Sequence, residues 1–127
     1  MIENEIAKII VDCAYKVHKT LGPGLLESVY EKALSYEIEK RGLKVLRQVP
    51  MKVNYDDFVF DEGYRADLII ENKVIVELKS IELLAPVHYK QLLTYLRLAN
   101  IRLGLLINFN EVLIKDGTHR IVNGLKE

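Results

Sequence analysis

Asp67, Glu77 and Lys79 are the residues whose types and spacing point most directly to chemistry. Two carboxylates that face each other across a strand pair repel each other by about 1 kcal/mol, and by more when water is excluded, so the pair calls for a cation. Either the ammonium group of Lys79 or a bound divalent metal can supply that charge. Carboxylate ligands of this kind suit Mg²⁺ or Mn²⁺, which also keep several waters.

The two segments that carry these residues predict a β-hairpin. Both are dense in Ile and Val, and they are separated only by residues 71–73. A loop of that length makes Ile70 face Val74, and counting back along the strands places the two acids directly opposite each other. The lysine lies on the same face, because strand side chains alternate.

The simplest alternative is that Lys79 neutralises the acids as an internal ion-pair cluster. The apolar composition of both strands weighs against an incidental cluster, because an unpaired charge at the end of a buried strand is costly. Metal binding and internal neutralisation both remain open from these residues alone.

Glu27 is a further candidate, on a predicted helix that also carries Tyr30 three residues later. At this spacing both side chains lie on one helix face, which can be turned towards the sheet. The competing interpretation is structural, since an acid in the first turn of a helix is stabilised by the helix dipole by about 0.3 to 1 kcal/mol.

Gln91 and Tyr95 lie four residues apart on a second predicted helix, with His88 three residues before the glutamine, so the three share a face. This polar ridge is either a solvated flank of the helix or, beside a phosphate-binding site, a source of amide and phenol contacts to nucleic acid.

The overall charge balance excludes a protein that is held on a polyanion by a global field. Eighteen Lys and Arg residues balance eighteen Asp and Glu residues, so the formal net charge is zero. Any nucleic-acid binding therefore needs a local basic patch. Arg65 and Lys90 are the first candidates for it, and Arg97 and Lys16 are weaker ones.

Composition predicts one soluble domain over residues 1–127. Half of the residues are hydrophobic and 28% are charged, which is typical of a globular chain. The single cysteine, Cys13, cannot form an internal disulfide and is expected to be a buried hydrophobe. No apolar run is long enough to cross a membrane and the N-terminus lacks signal-peptide features, so we expect a cytoplasmic protein.

Hydrophobic periodicity predicts an α/β domain with the order α-α-β-β-β-α-β-β. The strand at 103–109 follows a helix and is expected to run parallel to the strand at 74–79. The predicted elements are a first helix that ends at Gly22, a helix at 25–41, extended residues at 44–49 and 51–55, strands at 64–70 and 74–79, a helix at 87–99 after Pro86, a strand at 103–109, and short strands at 112–115 and 119–122.

Four short motifs occur in order along these elements, and together they resemble the GxxExxY proteins of the PD-(D/E)XK nuclease superfamily. The match runs from about residue 6 to residue 124. The motif residues are Gly24, Glu27 and Tyr30, then Asp67, then Glu77, Leu78 and Lys79, then Gln91 and Tyr95. The residue before the aspartate is Ala66, where the superfamily name has a proline.

The resemblance implies a restriction-endonuclease-like core, a mixed β-sheet flanked by helices, with kinship to the RecB and lambda-exonuclease type. It implies that Asp67, Glu77 and the backbone carbonyl of Leu78 bind Mg²⁺ and that Glu27 holds a metal ion or its water. Lys79 would orient the attacking water and help to deprotonate it.

The resemblance further implies that Gln91 and Tyr95 support the site and contact the nucleic-acid backbone. Tyr30, as the last residue of the first motif, belongs to the same supporting group.

Two hypotheses follow from the sequence. The first is a Mg²⁺- or Mn²⁺-dependent phosphodiesterase that cuts DNA with little sequence specificity, because so short a chain has few residues beyond its core to read bases. The alternative is a non-catalytic module that binds nucleic acid or protein and keeps the nuclease fold. DNA is favoured over RNA as the partner, and a homodimer would suit a two-stranded substrate.

Overall fold

A computed structural model describes residues 1–126, except for the side chain of Glu62. Its elements, in chain order, are α1 (Glu3–Leu21), α2 (Glu27–Lys40), β1 (Val45–Tyr55), β2 (Phe58–Ile70), β3 (Val74–Lys79), α3 (Pro86–Ala99), β4 (Leu103–Asn108), α4 (Ile114–Gly117) and β5 (Thr118–Val122).

The described strands form one mixed five-stranded sheet in the order β1-β2-β3-β4-β5. Strands β3 and β4 are parallel and are joined through α3, whereas the other neighbours are antiparallel. Buried side chains of α1 and α2 pack on one face of the sheet, and Leu92 and Leu96 of α3 pack on the other. The predicted α/β class with helices on a mixed sheet is confirmed.

The predicted hairpin is confirmed in its register. Ile70 pairs with Val74 across the turn, and the ladder continues to the pair of Leu68 with Val76. The parallel arrangement of the strand after α3 is also confirmed, because Glu77 pairs with Leu106 in β4.

The predicted strand at 112–115 is wrong, because this region turns into the short helix α4. Its apolar residues resemble a strand in sequence, but Asp116 N donates a hydrogen bond to the carbonyl of Leu113, and the Thr118 hydroxyl donates one to the carbonyl of Ile114. The place beside β4 is filled by β5. A pattern of only four residues does not distinguish a strand from a helical turn.

Strands β1 and β2 change the face that they present to the helices at Gln48 and Asp67. Val45 packs with the core under α1 and α2, whereas Val49 packs with the core under α3, although regular alternation would put them on one face. Gln48 has a φ of 50°, in the left-handed region, and this turns the strand over. The break lies beside the candidate acid Asp67.

Candidate active site

Asp67 lies where the ladder between β2 and β3 ends. Beyond the pair of Leu68 with Val76, the Asp67 carboxylate replaces the missing strand contact, because its Oδ2 accepts a hydrogen bond from the Leu78 amide at 2.8 Å. The strand break therefore turns an acidic side chain into β3, beside Glu77.

Glu77 is a buried carboxyl group without a full set of partners. It is 7% exposed, and within the described part of the chain its buried Oε1 accepts no hydrogen bond. Burial first, and then the hydrogen bond to Asp67 and the charge of Asp67, raise the pKa of Glu77 to about 10, although Lys79 acts in the opposite direction. The side chains of the two acids are in contact, although the strand ladder ends one pair before them.

A cavity of about 20 Å³ opens between β3 and α3, with room for about one water. Lys79 is half-buried at its wall, on the same side as Glu77. The lining residues are Glu77, Lys79, His88, Gln91, Leu92, Tyr95 and Leu106. The structure therefore brings all three residues of the predicted polar ridge, His88, Gln91 and Tyr95, to the cavity of Glu77.

Two stacked tyrosines close the site on the side of β2. The rings of Tyr64 and Tyr95 lie 4.0 Å apart and nearly parallel, at 7°, and the Tyr64 hydroxyl donates a hydrogen bond to the carbonyl of Tyr95. Burial, together with Tyr95 and Glu77, raises the pKa of Tyr64 to about 12. Burial and the two carboxylates also raise the pKa of Tyr95. Both phenols therefore stay protonated beside the acids.

Glu27 reaches the end of β3 from the other face of the sheet. Its Oε2 accepts a hydrogen bond from the amide of Ser80 at 3.4 Å, directly after Lys79, and the Ser80 hydroxyl donates one to the carbonyl of Leu25 at 2.6 Å. Glu27 is exposed and does not line the cavity of Glu77. The start of α2 is thus tied to the strand that carries the catalytic candidates.

Tyr30 fixes the loop before Glu27 and cannot touch a substrate. It is fully buried and stacked on Phe109, with 4.6 Å between the ring centroids. Its hydroxyl donates to the carbonyl of Gly22 at 2.5 Å and accepts from the amide of Leu25 at 3.1 Å. The sequence offers two roles for Tyr30, contact with nucleic acid and support of the site. Only support of the site fits this buried position.

The candidate basic residues lie on different surfaces, and of those described here only Lys90 is next to a residue that lines the cavity of Glu77. Arg65 is exposed and donates to the carbonyl of Gln48 at 3.5 Å, and Lys90 is exposed on α3 beside Gln91. Lys16, a weaker candidate, lies on α1 and pairs with Glu37 at 3.0 Å, on the opposite side of the sheet from α3.

Sequence reasoning missed a polar cluster beside Asp67. Glu31 is 7% exposed and binds Arg47 at 3.2 Å, and its other oxygen accepts a hydrogen bond from the Gln48 amide. The same Gln48 amide lies 3.4 Å from Asp67 Oδ1. No sequence motif marks this cluster, because it depends on the strand break at Gln48.

The described residues hold no group of three His, Cys, Asp or Glu side chains at metal-binding spacing. A site for Mg²⁺ does not need one, since this ion is commonly bound through one or two carboxylates, with waters and substrate oxygens completing the shell. Asp67 and Glu77 supply two hard oxygen ligands, and the unpaired Oε1 of Glu77 is an acceptor that lacks a partner. The residues present therefore fit a divalent cation.

Among the described helices, none is long and apolar enough to span a membrane.

Comparison with known proteins agrees with the geometry. A solved structure of the protein SSO0001 superposes on the chain with a TM-score of 0.54 and 20% identity, over 98% of this chain and 60% of that protein, and it shares the fold. This chain therefore spans about 60% of the length of that protein. No curated protein matches the sequence. The model of the PD-(D/E)XK nuclease superfamily matches residues 4–121, and the chain belongs to this superfamily.

Proposed function

We propose that the protein is a divalent-metal-dependent nuclease that hydrolyses phosphodiester bonds of DNA with little sequence specificity of its own. The observation that carries the proposal is the buried, unpaired Oε1 of Glu77, held against a second carboxylate, Asp67. Such a pair lacks a cation, and Lys79 offsets its charge only in part. Membership of a nuclease superfamily whose members generally use divalent metal ions supports the same function.

Four groups of the chain are the proposed ligands. Asp67, Glu77 and the backbone carbonyl of Leu78 hold Mg²⁺ or Mn²⁺, and Glu27 holds the ion or its water from the end of β3. When bound, the cation supplies a Lewis acid that polarises a phosphoryl oxygen and offsets the charge of the transition state.

Lys79 acts on the attacking water. Its half-buried ammonium group lines a cavity with room for about one water, beside Glu77. In this position the ammonium orients the water and stabilises the negative charge that develops on its oxygen as the proton leaves. The carboxylates and the lysine therefore have different roles. The acids bind the metal, and the lysine orients the attacking water.

Four further residues bind the substrate in this proposal. Gln91 and Tyr95 support the site and meet the nucleic-acid backbone, and Arg65 and Lys90 contribute positive charge to phosphates on either side. Tyr30 acts from within the core, by fixing the loop that presents Glu27.

We further propose that the chain is a GxxExxY protein, close to the RecB and lambda-exonuclease type. The contacts of the first motif support this placement: Gly24 has a φ of 95°, Tyr30 binds the loop, and Glu27 reaches Ser80. We also propose that the substrate is DNA rather than RNA, that the protein acts as a homodimer on two-stranded substrates, and that it is located in the cytoplasm.

The test is a cleavage assay with labelled single-stranded, duplex and branched DNA and with RNA, in Mg²⁺, Mn²⁺ or EDTA. We expect metal-dependent cleavage of DNA that is lost in Lys79→Ala, because this variant keeps the acids but removes the charge that holds the water. Lys8→Ala, an exposed residue of α1, is the matched control and should cleave normally. No cleavage in any condition would contradict the proposal and favour the non-catalytic binding module.

A further inference from the structure

Gln48 connects two carboxylates that belong to different elements. Its side-chain amide donates a short hydrogen bond to Oε1 of Glu31 on α2 and lies 3.4 Å from Oδ1 of Asp67 on β2. Because both neighbours are acceptors, the nitrogen rather than the oxygen of the amide must face them. The amide is therefore a directed donor between a helix and the candidate metal ligand.

The backbone of Gln48 adopts an unfavourable conformation. Its φ of 50° is in the left-handed region, which glycine and asparagine adopt more readily than glutamine. Such a conformation costs a residue of this type about 1 kcal/mol and persists only where the surroundings hold it. A glutamine at this position is explained if its side chain does something that a glycine cannot.

Glu31 supplies the anchor. It is 7% exposed, and it sits one helical turn after Glu27, so that it faces the sheet. Arg47 already pairs with its Oε2 at 3.2 Å, which leaves Oε1 for Gln48. A buried carboxylate with a charged partner is a fixed acceptor, and it holds the Gln48 amide beside Asp67.

We infer that Gln48, anchored by Glu31, is a positioning residue that orients the Asp67 carboxylate for cation binding. Asp67 then has a donor on each oxygen, the Leu78 amide on Oδ2 and the Gln48 amide on Oδ1. Two donors fix the plane of the carboxylate, and each oxygen keeps a lone pair for a cation. The inference rests on the proposed function, since it concerns the same metal site.

Two variants separate orientation from folding. Gln48→Met keeps the length of the side chain and the backbone strain but removes the donor, whereas Gln48→Gly removes the donor and relieves the strain. Asp56→Gly is the matched control, because Asp56 has a φ of 54° in the turn between β1 and β2. Melting temperature reports folding for each protein, and calorimetric titration with Mn²⁺ reports its metal affinity.

We expect both Gln48 variants to bind Mn²⁺ about 10-fold more weakly than the unchanged protein, although Gln48→Gly melts at the higher temperature of the two. Asp56→Gly should bind Mn²⁺ with unchanged affinity. Affinities of the Gln48 variants within 2-fold of the unchanged protein would overturn the positioning role and leave the proposed metal site standing. An unchanged protein that fails to bind Mn²⁺ would overturn both.

Discussion

At the scale of single residues, the site is defined by an electrostatic conflict between Glu77 and Asp67. The fold buries one carboxyl group against another and raises the pKa of Glu77 to about 10, so the metal-free protein carries a proton there at neutral pH. A cation that binds to the Glu77 carboxylate must displace this proton. Metal binding at this site is therefore coupled to pH.

The first prediction concerns stability against pH. The pKa of Glu77 is raised from 4.5 in the unfolded chain to about 10 in the folded one, so between these values the folded state holds a proton that the unfolded state has lost. Its contribution to stability is fully present below pH 4.5 and decreases as the pH rises, by at most about 1.4 kcal/mol per pH unit.

Urea unfolding of the unchanged protein and of Glu77→Gln, from pH 6 to pH 9 without metal, measures this contribution. The neutral amide does not titrate, so the variant should gain stability relative to the unchanged protein as the pH rises. A difference between the two proteins that does not vary with pH would contradict a protonated Glu77.

At the scale of elements, the site depends on how three segments are joined to β3. The strand break at Gln48 and Asp67 turns an acid inward, the loop before α2 brings Glu27 to Ser80, and α3 lies over Glu77. Fully buried Asn108 at the end of β4 holds the loop that leads to α3, since its amide accepts from Ile81 N and donates to Ile81 O.

The second prediction tests the loop before α2. Tyr30→Phe removes the hydroxyl that binds the carbonyl of Gly22 and the amide of Leu25, and should destabilise the protein by about 1–3 kcal/mol. Cleavage should also fall, because Glu27 loses its fixed approach to β3. Tyr15→Phe, at an exposed position on α1, is the control for thermal melting and activity. Equal melting temperatures for both variants would show that the Tyr30 hydroxyl does not stabilise the loop before α2.

The third prediction tests the seating of α3 on the sheet. A Cβ atom at Gly104 would lie 3.0 Å from three side-chain atoms of fully buried Leu92, so Leu92 and the helix that carries it must shift by a few tenths of an ångström. Gly104→Ala should therefore cost about 1–3 kcal/mol and reduce cleavage by moving Gln91 and Tyr95. Gly124→Ala is the comparison. Gly124 has a φ of 74° but open space around it, so an alanine there strains the backbone without overpacking the core. Unfolding in urea that is unchanged in Gly104→Ala would contradict the close packing.

The sequence was sufficient for those parts of the site that depend on local periodicity. The apolar strands and the three-residue turn predict the opposition of Asp67 and Glu77, and helical spacing predicts that Gln91 and Tyr95 share a face. The cluster of Glu31 and Gln48 could not be predicted, because it arises from a backbone reversal that no residue type demands. The strand predicted at 112–115 was wrong for a similar reason, since four residues carry too little periodic signal.

At the scale of the whole molecule, a net charge of zero leaves nucleic-acid binding to a local patch. Lys90 lies on α3 beside Gln91, which lines the cavity of Glu77, whereas Lys8 lies on α1, which packs on the opposite face of the sheet. The substrate should therefore approach from the side of α3.

The fourth prediction follows from this separation. Lys90→Ala should weaken DNA binding at low salt and reduce the slope of log K against log[salt] by about 1, because one phosphate contact is lost. Binding is measured in Ca²⁺ or EDTA, without cleavage, and Lys8→Ala should leave the slope unchanged. Equal slopes for the two variants would contradict a binding surface beside α3.

The most direct test of the central claim is a calorimetric titration of the metal-free protein with Mg²⁺ at pH 7, in two buffers of different ionisation enthalpy, with Asp67→Asn as the background. We expect saturable binding to the unchanged protein with release of about one proton, because Glu77 must give up its proton when the cation binds. Heats that match those of Asp67→Asn, with no saturation, would contradict the assignment of Asp67 and Glu77 as a divalent-cation site.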